Sequence, residues 1–187
     1  MKLIVDVMGT LVYDPFYREV PAFFGMSLEE LLAVKHPTAW VEFELGRRSE
    51  ASFLRDFFAD GRSYDQEGLK RVTFESYRPL DGMDVALAML AARHDAVHLM
   101  SNYPVWFHEV EARCRLARHA SWAFVSCREG VRKPDRRAYE RVLARIEAEP
   151  RECLFIDDSA ANCEAARSLG LRAIHVTAPA DLLPLVS

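Results

Sequence analysis

Apolar residues along the chain follow two rhythms. Short, nearly continuous runs occur at Leu3-Ile4-Val5, Ala96-Val97-His98-Leu99-Met100, Trp122-Ala123-Phe124-Val125, Cys153-Leu154-Phe155-Ile156 and Arg172 to Val176. Runs of this length, bounded by polar residues, predict buried strands. Between them the spacing becomes helical. Met83, Leu87 and Leu90 mark one helix, and another follows Pro104. Pro134-Asp135 opens a third, with Tyr139, Val142, Leu143 and Ile146 on one face, and the helix after Asp158 closes at Gly170. Apolar strands alternating with amphipathic helices predict an α/β fold with a parallel sheet covered on both faces.

Residues 14–78 break this alternation. Ser27-x-x-Glu30 forms a capping-box signature ahead of Leu31-Leu32. Pro37 can open a second helix that Gly46 closes. Ser49 starts a third, with Phe53, Leu54, Phe57 and Phe58 at helical spacing and Gly61 as its stop. Asp65 starts a fourth that carries Leu69, Val72 and Phe74. The predicted organisation is therefore an α/β core made of residues 1–13 and 79–187, with a helical insertion at 14–78 after the first strand.

Composition narrows the function classes. The chain has 187 residues, half of them apolar, and a formal charge of −4. Lys and Arg never run beyond pairs such as Arg47-Arg48 and Arg132-Lys133, so no nucleic-acid partner is expected. Only Leu3-Ile4-Val5 separates Lys2 from Asp6, too short for a secretory leader, and no apolar run approaches the ~20 residues of a membrane span. A cytoplasmic protein with no membrane partner is expected. Cys114, Cys127, Cys153 and Cys163 have no C-x-x-C spacing and read as free thiols. Patterning leaves open a monomer or a dimer.

Four polar sites in the core carry chemistry. They are Asp6, Ser101-Asn102, Lys133 and Asp157-Asp158. Three lie at the carboxyl ends of predicted strands, where open α/β sheets bind ligands. A carboxylate such as Asp6 can attack phosphorus if its own charge and that of the phosphate are neutralised. Paired carboxylates suit Mg²⁺, a hard cation that prefers oxygen. Lys133 adds fixed positive charge, and Ser101 and Asn102 can donate to phosphoryl oxygens. An aspartyl phosphate formed on Asp6 would then be hydrolysed by water. Taken singly, Asp6 and Asp157-Asp158 could be helix caps and Lys133 a solvated loop residue. A receiver domain also combines such groups, but there the acidic pair comes first in the chain, and here it comes last.

Asp6-Val7-Met8-Gly9-Thr10, Ser101-Asn102, Lys133-Pro134-Asp135 and Phe155-Ile156-Asp157-Asp158-Ser159 with Asn162 occur in the order seen in the haloacid dehalogenase superfamily, which the chain resembles across its whole core. The resemblance implies a Rossmann-like core with a helical cap, and Mg²⁺-dependent hydrolysis of a phosphorylated small molecule. It makes Asp6 the nucleophile and a metal ligand, the backbone carbonyl of Met8 a second ligand, and Asp158 the direct acidic ligand with Asp157 beside it. Ser101 and Lys133 become phosphate binders. A narrower likeness, carried by Asp6-Val7-Met8, Asp14-Pro15-Phe16-Tyr17, Val20 to Ser27, Lys35-His36-Pro37, Ser101 to Trp106 and Arg132-Lys133-Pro134-Asp135, is to the flavin-mononucleotide hydrolases of plant chloroplasts. It implies FMN as substrate.

Met8 departs from the superfamily pattern. Most of its phosphatases carry Asp there, to protonate the leaving oxygen. Two alternatives follow from this: a dehalogenase- or phosphonatase-type hydrolase using the same Asp, or a non-catalytic binding protein on the same fold. Dehalogenases of the superfamily usually lack the acidic pair that this chain keeps. A replacement acid could come from the insertion. His36 is a candidate, although it reads first as a residue at a helix start. Glu42 and Glu44 read as surface charges. The insertion holds twelve of the chain's twenty aromatic residues, expected mainly as its own core, with a few free to line a pocket for a flat ring.

Overall fold

Five strands form a single parallel sheet in a computed structural model that describes residues 1–94, 96–178 and 181. They are β1 (Lys2–Val5), β2 (Ala96–Ser101), β3 (Ser121–Val125), β4 (Cys153–Asp157) and β5 (Arg172–His175), in the order β3-β2-β1-β4-β5. The central strand is fully buried beyond Lys2, with Leu3, Ile4 and Val5 at 0% exposure. Alternation along the strands sends side chains to two separate cores. Leu3, Val5, Leu99 and Ile156 point to one face, and Ile4, Met100, Phe124 and Phe155 to the other.

Ten α-helices lie among the described residues: α1 (Glu19–Phe23), α2 (Leu28–Val34), α3 (Ala39–Glu44), α4 (Glu50–Arg55), α5 (Gln66–Ser76), α6 (Met83–Arg93), α7 (Phe107–Cys114), α8 (Ser126–Glu129), α9 (Arg136–Arg145) and α10 (Ala160–Ser168). On the first face, α6 and α7 supply Met83, Leu87, Phe107 and Val110; on the second, α9 and α10 supply Tyr139, Val142, Cys163 and Ala166. This is the α/β arrangement expected, with a helical cap between β1 and β2. Of the expected core, residues 95, 179–180 and 182–187 lie outside the described residues. No described helix is long and apolar enough to cross a membrane.

The cap follows its start signals more closely than its lengths. Ser27 and Glu30 form the capping box, and Ser49 and Asp65 cap α4 and α5 through their side chains. α4 was expected to run through Phe58 but ends at Arg55. Phe57 and Phe58 are still buried, because the chain turns into an extended pairing with Lys35 and His36 (His36 N–H to Phe57 O, 2.8 Å). Helical spacing reported burial there, and backbone pairing decided the conformation. The short α8 had no sequence signal.

The cap does not keep its aromatic residues to itself. Phe43 and Phe53 stack at 4.7 Å, and Trp106 from the core meets them edge-on at 5.3 and 5.6 Å. Trp40 touches both Tyr103 and Trp106. Cap and core thus share one apolar cluster. Phe43 is 1% exposed in its middle. Phe43→Ala should therefore lower stability by about 3–5 kcal/mol, seen as a lower urea midpoint at unchanged m-value. A change under about 1 kcal/mol would mean that the cap packs only loosely on the core.

Candidate active site

The sheet order reverses at β1, between β2 and β4, and the polar strand ends converge at that point. Asp6 follows β1 directly. Its N–H bonds to Ile156 O at 2.8 Å, extending the ladder by one residue and holding the carboxylate beside the end of β4. Asp6 is 6% exposed. Lys133, 1% exposed in the loop before α9, donates to Asp6 Oδ1 at 2.5 Å, Asp157 Oδ2 at 2.7 Å and Met100 O at 2.9 Å. An ammonium has three N–H groups, and all three are used.

Neighbouring groups hold these charges in place. Asn102 donates to Lys133 O and accepts from Lys133 N–H, both at 2.9 Å, so its side chain fixes the lysine's backbone. That task differs from the expected donation to phosphate and takes up its oxygen and one of its N–H groups. Asp157, fully buried, accepts Ser159 N–H at 2.8 Å and Asn162 Nδ2 at 3.0 Å as well as Lys133. Thr10 Oγ1 donates to Asp6 Oδ2 at 2.9 Å and accepts Asp158 N–H at 3.0 Å, linking the first strand end to the last. Gly9 adopts φ +82°, and a Cβ there would sit 2.3 Å from Asp158 Oδ2. The positive φ favours glycine at this position, and a side chain would also have to displace the Asp158 carboxylate.

Three carboxylates surround one ammonium. Burial is the largest influence on Asp6 and pushes its carboxyl up, Asp157 adds to this, and Lys133 pulls it down, leaving it at about 7. Burial also works against charge on Lys133, but Asp6 and Asp157 outweigh it and hold the ammonium firmly protonated. Asp158, at the edge of the cluster, is raised by the partial loss of water around it and by Asp157. The cluster lacks positive charge. Oxygens of Asp6, Asp157 and Asp158 lie within 4.8 Å of one another, a donor set suited to a hard divalent cation. Asp157 already receives several hydrogen bonds, whereas exposed Asp158 lines the open crevice. The Met8 carbonyl takes no part in the turn's bonds, which run from Gly9 N–H to Val12 O and from Leu11 and Val12 N–H to Val7 O.

The crevice has a volume of about 410 Å³. Asp6, Met8, Asn102, Lys133 and Asp158 line it from the core, and Tyr17, Trp40 and Glu44 from the cap. Ser101, 1% exposed, sits outside this lining, one residue behind Asn102. A separate apolar cavity under Trp40 and Tyr103 measures only about 30 Å³, too small for a ring system. His36 does not face the reacting groups: its Nδ1 accepts the N–H groups of Thr38 and Ala39 and caps α3.

Glu44 corrects an expectation. It is 3% exposed, not a surface charge. Trp40 Nε1 donates to its Oε2 at 2.9 Å, and Arg132 Nε lies 3.1 Å from its Oε1. The sequence held a signal for this: Glu44 is four residues after Trp40 and so shares its helix face. Thr10 was legible only as part of the Asp6-Val7-Met8-Gly9-Thr10 stretch; its bonds to Asp6 and Asp158 were not.

A family model of haloacid dehalogenase-like hydrolases matches residues 3–170. Flavin mononucleotide hydrolase 1 of Arabidopsis thaliana, a chloroplast protein by its name, is 46% identical over 90% of this chain and 69% of its own. A sesquiterpene phosphatase of Aspergillus oryzae is 29% identical over 81% of this chain and 79% of its own. In fold, the chain resembles a haloacid dehalogenase-family enzyme from Bacteroides thetaiotaomicron solved with magnesium and inorganic phosphate (TM-score 0.78, 20% identity, 95% and 94% of the two chains). It also resembles the L-2-haloacid dehalogenase of Xanthobacter autotrophicus (TM-score 0.68, 18% identity, 92% and 75%). With strand-end residues in that family's order and its model matched over nearly the whole length, the chain belongs to the haloacid dehalogenase-like hydrolases.

Proposed function

We propose that the protein is a phosphohydrolase for a small-molecule phosphate monoester, acting through a phosphoryl group carried on Asp6. The observation behind this reading is the Lys133 ammonium, buried between Asp6 and Asp157 at 2.5 and 2.7 Å under a crevice that exposed Asp158 also lines. A dehalogenase needs no such excess of carboxylates; a phosphate site with a divalent cation does. FMN is the first substrate to try, because the relative at 46% identity is named for its hydrolysis. The crevice, at about 410 Å³, has space for part of a ring system that the apolar cavity lacks.

In this mechanism Thr10 and Lys133 each hold one oxygen of Asp6, so the carboxylate presents a fixed face to the phosphorus. Asp6 attacks, its bond to phosphorus forms, and the ester oxygen leaves. Lys133 offsets charge on the phosphoryl oxygens. Water then attacks the phosphorus, and Asp6 is released with inorganic phosphate. Asp6, Asp158 and the Met8 carbonyl would hold Mg²⁺, which when bound supplies charge that screens phosphate from nucleophile. Asp157 positions Lys133 and Asn162.

The first test is a panel of phosphate esters that includes FMN, run with Mg²⁺ and with EDTA. Release of phosphate should require Mg²⁺; release that survives EDTA would remove the metal from the reaction. Halide release from 2-haloacids, with no phosphate release, would favour the dehalogenase reading that Met8 suggests. Asp6→Asn should lower turnover by more than about a hundredfold, as expected for loss of a nucleophile. Smaller losses with native circular dichroism would point to another nucleophile.

Protons and Mg²⁺ compete for Asp6. Because its carboxyl is raised in the metal-free fold, its contribution to stability is fully present below the unfolded value of 3.8 and is lost as pH rises through about 7. Mg²⁺ should therefore raise Tm more at pH 8 than at pH 5.5. An equal rise at both would exclude Asp6 as a ligand.

A further inference from the structure

We infer that Glu44, on the cap, is the acid that protonates the leaving oxygen in place of the side chain missing at Met8. This rests on the phosphohydrolase reading above. The crevice offers few proton donors that are free of other duties. Lys133 is fully engaged, and Asp6 and Asp158 belong to the cation cluster. Tyr103 is bonded to the Tyr77 hydroxyl at 2.8 Å, and Tyr17 is 65% exposed. Asp14 uses Oδ1 to accept Phe16 N–H and caps its own turn.

Asp14 shares with Glu44 a carboxyl raised by burial, but its hydrogen bond ties it to its own turn, whereas Glu44 is fixed against the core. Trp40 Nε1 orients the carboxyl through Oε2, while Oε1 is buried without a hydrogen-bond partner. Arg132 Nε, 3.1 Å from Oε1, provides an ion-pair distance but not the alignment of a hydrogen bond. A buried oxygen left in this state at the lining of a reaction crevice is suited to carry a proton toward a ligand. Burial raises the Glu44 carboxyl above the usual range, against the pull of Arg132, Trp40 and Lys133, which favours the protonated form needed at the first step.

The end of α3 is also pinned to the core. Ser126 Oγ donates to Glu44 O at 2.7 Å and lies 3.3 Å from Tyr103 O, next to Asn102. Two residues on, Gly46 (φ +71°) approaches so closely that a Cβ would meet Cys127 O at 2.2 Å. These contacts set Glu44 in a defined place relative to Asn102 and Lys133. In the first step the bond from Asp6 to phosphorus forms, the ester bond breaks, and the Glu44 proton passes to the departing alcohol oxygen. In the second, water attacks phosphorus, its proton goes to the Glu44 carboxylate, and the bond from phosphorus to Asp6 breaks. The acid ends as it began.

Leaving-group dependence tests this. Wild type, Glu44→Gln and Glu44→Asp are compared with Mg²⁺ on p-nitrophenyl phosphate, whose phenolate departs without protonation, and on FMN and a simple alkyl phosphate, whose alcohols do not. Glu44→Gln should lower kcat on the alkyl esters by about 10²–10⁴-fold, the usual size of a general-acid contribution, and change kcat on the aryl ester only a few-fold. Glu44→Asp should recover part of the loss. Met8→Asp added to Glu44→Gln should restore alkyl-ester turnover by placing a carboxyl beside the nucleophile. A parallel loss on both ester types that Met8→Asp does not repair, or no loss on alkyl esters, would overturn the assignment. Failure of the wild type to hydrolyse any of these esters would instead overturn the phosphohydrolase reading, and this inference with it.

Discussion

A lysine ammonium taken out of water costs several kcal/mol unless paired and hydrogen-bonded charges compensate for it. Lys133 meets that condition through Asp6, Asp157 and the Met100 carbonyl. The partners need support of their own. Thr10 holds Asp6, Ser159 and Asn162 hold Asp157, and Asn102 holds the lysine's backbone. Each of these residues sits just beyond a strand or at the start of a helix, and the parallel sheet brings them together. The ends of β1, β2 and β4, the Lys133 loop and the start of α10 thus all depend on one buried cation.

The same cluster explains why the site needs something further. One ammonium cannot balance three carboxylates, and burial makes the surplus worse. Structural ion pairs settle near neutrality. Oxygens of Asp6, Asp157 and Asp158 gathered beside an open crevice form a donor set suited to a hard divalent cation. The surplus of carboxylate separates this arrangement from an ion pair that merely staples the sheet.

The cap acts as part of the same machine because it has no separate core. Trp106 of the core packs into the cap's stacked phenylalanines, and its Nε1 donates to Glu50 at the start of α4. Packing of the cap against the core buries aromatic surface, and the same arrangement places Trp40, Tyr17 and Glu44 at the crevice. Apolar burial supplies the driving force, and polar residues on the same helices gain their positions from it.

Much of this was legible in the chain itself. Strand runs, helix caps and the order of Asp6, Ser101-Asn102, Lys133 and Asp157-Asp158 are local patterns, since strand alternation and capping chemistry depend on residues within a turn or two of each other. They determined an α/β fold with a carboxylate-rich edge and a helical insertion. Partner choice was not local. Asn102 turning to the backbone of Lys133, Asp157 bonding inward while Asp158 faces outward, α4 stopping short of Phe57, and Glu44 lying buried against Trp40 and Arg132 each depend on which distant segments meet. Adjacent identical side chains such as Asp157 and Asp158 look alike in sequence; only the pleat at the end of β4, which sends one inward and the next outward, gives them different work.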